Sequence, residues 1–172
     1  MTTFGLKDAQ SLNFALPAEW VAALLSAVAE RRVAASEDPL QWLSAGLAAE
    51  NEKDHEKAAR AFRQAIQVKP DFAEAWAALG RAYSRLERHG DCVEAYREAV
   101  RLDPGYADAW VSLGMAYGVL HNDLKSIESL REGIRLGPHV PESAWHFLAL
   151  QYFTLKQYAA AIRASGFAAR QK

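Results

Sequence analysis

Few side chains in this sequence stand at spacings that could do chemistry, and none completes a site. Glu142 and His146 lie four residues apart, on one helix face, where a carboxylate and an imidazole could share a metal. Two ligands fall short of the three or four that a zinc site uses, so the pair reads as a surface contact. Cys92 is the single cysteine, which excludes an internal disulfide; it reads as a small buried hydrophobe rather than a reactive thiol. Gly114 and Gly118 in the run GMAYG fall within a helix by register, which removes the loop a phosphate cradle needs. His55, His89 and His121 fall at or near expected turns and read as solvated polar residues. The sequence has no HExxH, P-loop, GxSxG or pair of cysteines at metal spacing. The expectation is a chain with no catalytic residues, no metal and no cofactor. Arg81 and Arg85 stand four apart on one helix, where two guanidinium groups could hold a carboxylate.

The elements that carry these residues repeat. Trp42, Trp76 and Trp110 are 34 residues apart twice over (76 − 42 and 110 − 76). With Pro39, Ala73 and Ala107 as first residues, position 8 is Gly46, Gly80 and Gly114, position 20 is Ala58, Cys92 and Ser126, and position 32 is Pro70, Pro104 and Pro138. Position 7 is Ala45, Leu79 and Leu113, position 11 is Ala49, Tyr83 and Tyr117, position 24 is Phe62, Tyr96 and Leu130, and position 27 is Ala65, Ala99 and Gly133. Positions 4, 7 and 11 form one apolar helical stripe, and positions 20, 24 and 27 form a second. A glycine in mid-helix costs about 1 kcal/mol against alanine, so its threefold return argues for close approach to the small residue at position 20. The closing proline ends the second helix. Each unit is predicted to be a helix hairpin, and the stack a helical solenoid.

The pattern W-x-x-L-G-x-x-Y, a small residue, an aromatic and an Ala, then Pro is similar to the tetratricopeptide repeat. The resemblance implies an all-α, right-handed superhelical solenoid of antiparallel helix hairpins. Repeats are expected over 39–72, 73–106 and 107–141, the last with a turn insertion at Pro141, because Trp145 follows Trp110 by 35 residues. A degenerate fourth unit is expected over 142–172, with Leu148, Ala149 and Tyr152 in register, Ser165 in place of the aromatic and no closing proline.

Ahead of the repeats, 17–38 is expected to be a capping helix or degenerate half repeat, with Trp20 and Leu24 filling space beside Ala45 and Ala49. Residues 1–16 read as an extended or disordered arm. The run WVAALLSAVA at 20–29 resembles the core of a secretory signal, but its long, acid-bearing approach and the following Arg31 and Arg32 favour an amphipathic helix. No run reaches the roughly 20 apolar residues of a membrane span. The chain has 172 residues, 51% hydrophobic and 24% charged, with net charge −1, so it is of ordinary globular composition and lacks a basic stripe for nucleic acid. The expectation is a cytoplasmic protein without membrane insertion or nucleic-acid binding.

The resemblance further implies a concave groove lined by positions 2, 5, 6, 9, 12 and 13 of each first helix. Its expected partner-binding residues are Leu43, Leu47, Arg81, Arg85, Ser112, Met115, His146, Phe147 and Leu150. This groove would be apolar at both ends and cationic in the middle. Family members that clamp the acidic tails of heat-shock chaperones use Lys, Asn and Arg where Leu43, Leu47, Ala78, Asp108 and Ser112 stand, so that use is excluded. The expected function is a non-enzymatic adaptor for a protein or peptide ligand. The alternatives are a self-assembling protein that oligomerises through its N-terminal helix or open C-terminal repeat, and an accessory subunit or chaperone of a secretion or enzyme complex.

Overall fold

The computed structural model describes residues 17–34, 38–137 and 141–170. The arm expected over 1–16 lies outside them, as does most of the turn before Pro141. Among the described residues every regular element is helical: α1 (Ala18–Ala34), α2 (Pro39–Asn51), α3 (His55–Val68), α4 (Ala73–Arg85), α5 (His89–Leu102), α6 (Ala107–Val119), α7 (Asp123–Leu136), α8 (Glu142–Thr154) and α9 (Tyr158–Arg170). α1 belongs to a separate unit, Met1–Ser36. It is a helix, and its Trp20, Leu24 and Leu25 are exposed.

From α2 onward the helices form four hairpins whose turns share one device. Lys53, Glu87, His121 and Lys156 all adopt positive φ, between 57° and 62°, at position 15 of their units. The following amide then reaches back to close the first helix: Asp54 N donates to Ala49 O, Arg88 N to Tyr83 O, Asn122 N to Tyr117 O and Gln157 N to Tyr152 O. This is a Schellman closure made without glycine. The left-handed backbone reverses the chain within three residues, so the two helices of each hairpin run antiparallel. Asp54 and Asn122 then cap the second helices α3 and α7 with their side chains.

The recurring tryptophan and proline act together. Trp76 Nε1 donates to Pro70 O at 2.9 Å and Trp110 Nε1 to Pro104 O at 3.0 Å. Position 4 of one unit is thereby tied to position 32 of the unit before, which fixes the connection between repeats as well as the end of a helix.

Each position-8 glycine lies against a large side chain, not chiefly against the small residue at position 20. A Cβ on Gly80 would come within 2.9 Å of Tyr96 Cδ2, one on Gly114 within 2.6 Å of Leu130 Cγ, and one on Gly46 would overlap the Phe62 ring. The expected contact with position 20 holds in the third repeat, where Ser126 Oγ donates to Gly114 O at 2.7 Å. Stacking uses a further stripe of alanines: Ala75, Ala109 and Ala144 at position 3, with Ala82 and Ala116 at position 10, are buried. Small side chains there let each first helix lie close to its neighbours. One continuous core joins Ala49, Phe62, Leu79, Tyr83, Cys92, Tyr96 and Leu113, and a second around Leu130, Ala144 and Leu148 serves the last two repeats.

Burial in that core pushes the Cys92 thiol up to about 11 and the Tyr96 phenol up to about 12. Both groups hold their protons more tightly folded than unfolded. Their contribution to stability is therefore complete below the ordinary thiol value of 9.0, and it is lost as pH rises from there through about 12. Urea midpoints should be flat with respect to these two groups below this window and fall within it. At neutral pH Cys92 should react with a disulfide reagent only as fast as the array opens; immediate labelling would contradict its burial.

Candidate functional site

The first helices carry side chains that packing leaves exposed, as do the second helices at Val68, Leu124 and Ile162. Of the residues expected to line the first-helix face, Leu47, Arg85, His146 and Leu150 are exposed. Leu40, Val119 and Phe153 join them. The Phe153 ring meets Tyr158 edge to face at 5.5 Å between centroids. His146 Nε2 lies 3.9 Å from Glu142 Oε1 across one turn, the surface pair that its spacing implies.

Four expected residues are half-buried and also engage the fold. Leu43 is half-buried and packs against Phe72, Ala75 and Ala65. Ser112 is half-buried and hydrogen-bonded to the Tyr96 phenol. Met115 and Phe147 pack against the core of the last two repeats. Phe147 owes its place to Gly118, since a Cβ there would overlap its ring; that glycine makes room for a neighbour's side chain between repeats.

The middle of the face carries one open cation, not two. Arg81 forks onto Glu50 of the preceding repeat, with Nε donating to Oε1 at 2.9 Å and Nη2 to Oε2 at 2.7 Å. Those bonds hold the Arg81 guanidinium in its charged form above its ordinary range, against the opposing effect of partial burial. Arg85, one turn further on, is exposed and has no ion pair among the described residues. Sequence spacing marked both arginines but could not foresee Glu50, which is 31 positions away from Arg81.

Among the described residues no group of three or more His, Cys, Asp or Glu side chains is arranged to hold a metal ion. No helix among them is long and apolar enough to cross a membrane.

A left-handed residue at position 15 and a tryptophan tied to the preceding proline, recurring from unit to unit, define a class: a helical repeat solenoid built of hairpins. Residues 52–106 of the chain match the tetratricopeptide repeat, and the fold of the described residues agrees with it. Two family models make that match, one described as tetratricopeptide repeat over residues 73–106 and one as TPR repeat over 52–87. No curated protein matches in sequence. Among solved structures, a crystal structure of MamA is similar over 83% of each chain at 21% identity, with a TM-score of 0.77. MamA residues 41 to the end, from Desulfovibrio magneticus RS-1, match at 18% identity over 87% of this chain and 89% of that one, TM-score 0.72. The Sgt2 TPR domain from Aspergillus fumigatus matches at 24% identity over 69% of this chain and 80% of its own, TM-score 0.65. At these identities the likeness is one of fold.

Proposed function

We propose that this chain is a protein-interaction module that holds a peptide segment of a protein partner along its concave face, with no cofactor and no reaction of its own. The observation that carries this reading is the set of exposed apolar side chains on the first helices, Leu40, Leu47, Val119, Leu150 and Phe153. They flank the open cation Arg85, and stacking does not consume them. Apolar side chains left out of the core on one face suit an amphipathic ligand. Leu47→Glu together with Leu150→Glu should abolish capture of a partner from extracts of the source cell without lowering the melting temperature. An unchanged set of captured proteins would overturn the proposal.

Exposed apolar surface on α9 favours a second reading, self-association. Position 21 is covered in each earlier unit, where Ala59 is 3%, Val93 6% and Ile127 8% exposed, whereas Ile162 in α9 is 71% exposed. A face that three junctions cover with the next first helix is left bare at the fourth. Light scattering over a concentration series should then reveal association that Ile162→Glu abolishes. A chain lacking residues 1–36 tests the N-terminal helix in the same experiment. Loss of association would assign the contact to that helix, and a lower melting temperature would support its capping role. A parent chain that stays monomeric at every concentration would remove this reading.

A further inference from the structure

The second helices form a row of grooves on which the concave-face reading does not draw, and the last of them differs in charge from the one before. Between α5 and α7 a cavity of about 660 Å³ has Arg97 and Arg101 on one wall, Trp110 and Tyr117 at its floor, and Glu128 and Glu132 on the other wall. One repeat further on, between α7 and α9, a cavity of about 300 Å³ has the same parts in the same register: Arg131 and Arg135 on one wall, Trp145 and Tyr152 at the floor. On its far wall stands Arg163. Arg163 occupies position 22 of its unit, which is Arg60 in the first repeat but Glu94 in the second and Glu128 in the third.

That reversal leaves Arg163 with no acidic residue along its cavity, whereas Arg131 also lines a neighbouring hollow with Glu128 and Glu132. In the earlier groove Arg97 pairs with Glu94 and Arg101 with Glu98 along their own helix, and two further carboxylates line the opposite wall. In the last groove Arg135 is paired with Glu132, but Arg131 and Arg163 have no ion pair among the described residues. No acidic residue lines this cavity among them either. Arg131 and Arg163 both line this cavity, with an aromatic and aliphatic floor that includes Leu148.

We infer that the groove between α7 and α9 is a second binding site, for an acidic peptide segment of a protein partner in which a carboxylate adjoins an apolar side chain. The carboxylate would lie between Arg131 and Arg163, taking the place that Glu128 fills one repeat earlier. The apolar side chain would lie on Trp145 and Tyr152, where a free anion would gain nothing from the floor. The cavity is of the size that holds one or two side chains, at the lower end of the range for ligand sites. It shares no residue with the concave set, so the two surfaces could be occupied together.

The test uses the full chain labelled with fluorotryptophan, whose five indole signals are assigned by single Trp→Phe changes. The probes are a blocked hexapeptide of alternating glutamate and leucine, its glutamine counterpart, and inorganic phosphate. The acidic peptide should shift the Trp145 signal to saturation and leave Trp110 unmoved, while the other two probes should leave both unmoved. R163E should weaken that response at least tenfold, and Arg131→Gln on the opposite wall should weaken it too, each with an unchanged circular dichroism spectrum. Glu128→Arg should create a new response at Trp110 by copying the reversal one repeat earlier. The inference fails if Trp145 does not respond, if Trp110 responds equally in the parent chain, or if R163E binds the peptide as the parent does. Equal response to phosphate would also overturn it, since the site would then be one for anions in general. None of these outcomes would bear on Leu47, Arg85 or Leu150.

Discussion

Gly114→Ala should lower the stability of the array, although alanine is the better helix former by about 1 kcal/mol. The added Cβ would sit 2.6 Å from Leu130 Cγ, 2.9 Å from Leu130 N and 3.0 Å from Ser126 O. Two of those atoms are backbone, and both residues are fully buried, so no side-chain rotation relieves the clash. The helices α6 and α7 must separate, and the bond from Ser126 Oγ to Gly114 O stretches with them. Overpacking of this kind costs about 1–3 kcal/mol, and a buried hydroxyl losing its acceptor adds roughly 1–3 kcal/mol. A net loss of about 2 kcal/mol or more is expected, a fall of several degrees in melting temperature for a domain of this size. Gly80→Leu should be at least as damaging, because its side chain must displace the Tyr96 ring. Gly90 is the control: nothing lies within 4 Å of a Cβ placed there, so Gly90→Ala should be neutral or stabilising by up to ~1 kcal/mol. Thermal unfolding followed by circular dichroism measures all three. A Gly114→Ala chain as stable as the parent would refute the close helix contact on which the repeat register rests.

Periodicity made the fold legible. A tryptophan, a glycine and a proline returning every 34 residues specify hairpins and their stacking, because each residue type has one physical use at its place. The stripe at positions 4, 7 and 11 was only part of the packing, however. The alanines at positions 3 and 10 also recur in the sequence, but small residues carry little hydrophobic signal by themselves; their use emerges when a neighbouring helix lies against them. α1 illustrates the same limit. Pro17, Trp20, Ala23, Leu25 and Ala27 repeat the pattern of Pro39, Trp42, Ala45, Leu47 and Ala49 at an offset of 22 (39 − 17), which resembles a first helix as much as a worn second one.

The candidate face was less legible, for a specific reason. A repeat register assigns a side chain to a direction, but partial burial depends on the neighbour's size. Gly118 lets Phe147 sink partway between repeats, and Tyr96 engages Ser112, so two residues expected on the face also take part in packing. Cross-repeat charge pairing is equally invisible to a pattern of apolar residues, as Glu50 and Arg81 illustrate. The reversal at Arg163, in contrast, was present in the sequence all along, but its meaning needed the acidic walls of the groove before it.

Arg81 and Arg85 should therefore behave as different kinds of residue when each is changed. Arg81→Ala removes the partner of Glu50, whose side chain is only 15% exposed, and leaves a shielded carboxylate without its donors. The pair lies between the exposed case, worth about 0.2–1 kcal/mol, and the buried one, so a stability loss of about 1 kcal/mol is expected. A double-mutant cycle with Glu50→Gln should return most of that energy as coupling, because the two side chains touch. Arg85→Glu breaks no ion pair among the described residues, so its stability cost should be confined to the reversed charge at the end of α4, about 0.3–1 kcal/mol. Its larger effect should fall on binding: a charge-assisted hydrogen bond is worth roughly 1.5–3 kcal/mol, and a loss of 1.4 kcal/mol is about tenfold in affinity. Partner affinity should drop at least tenfold in Arg85→Glu and by more at low salt than at high, since an exposed charge is screened. The Leu47→Glu loss should depend less on salt, because it chiefly removes apolar contact. Should a captured partner hold Arg85→Glu as tightly as the parent, the first-helix face would not be reading charge, and the grooves between the second helices would carry the specificity.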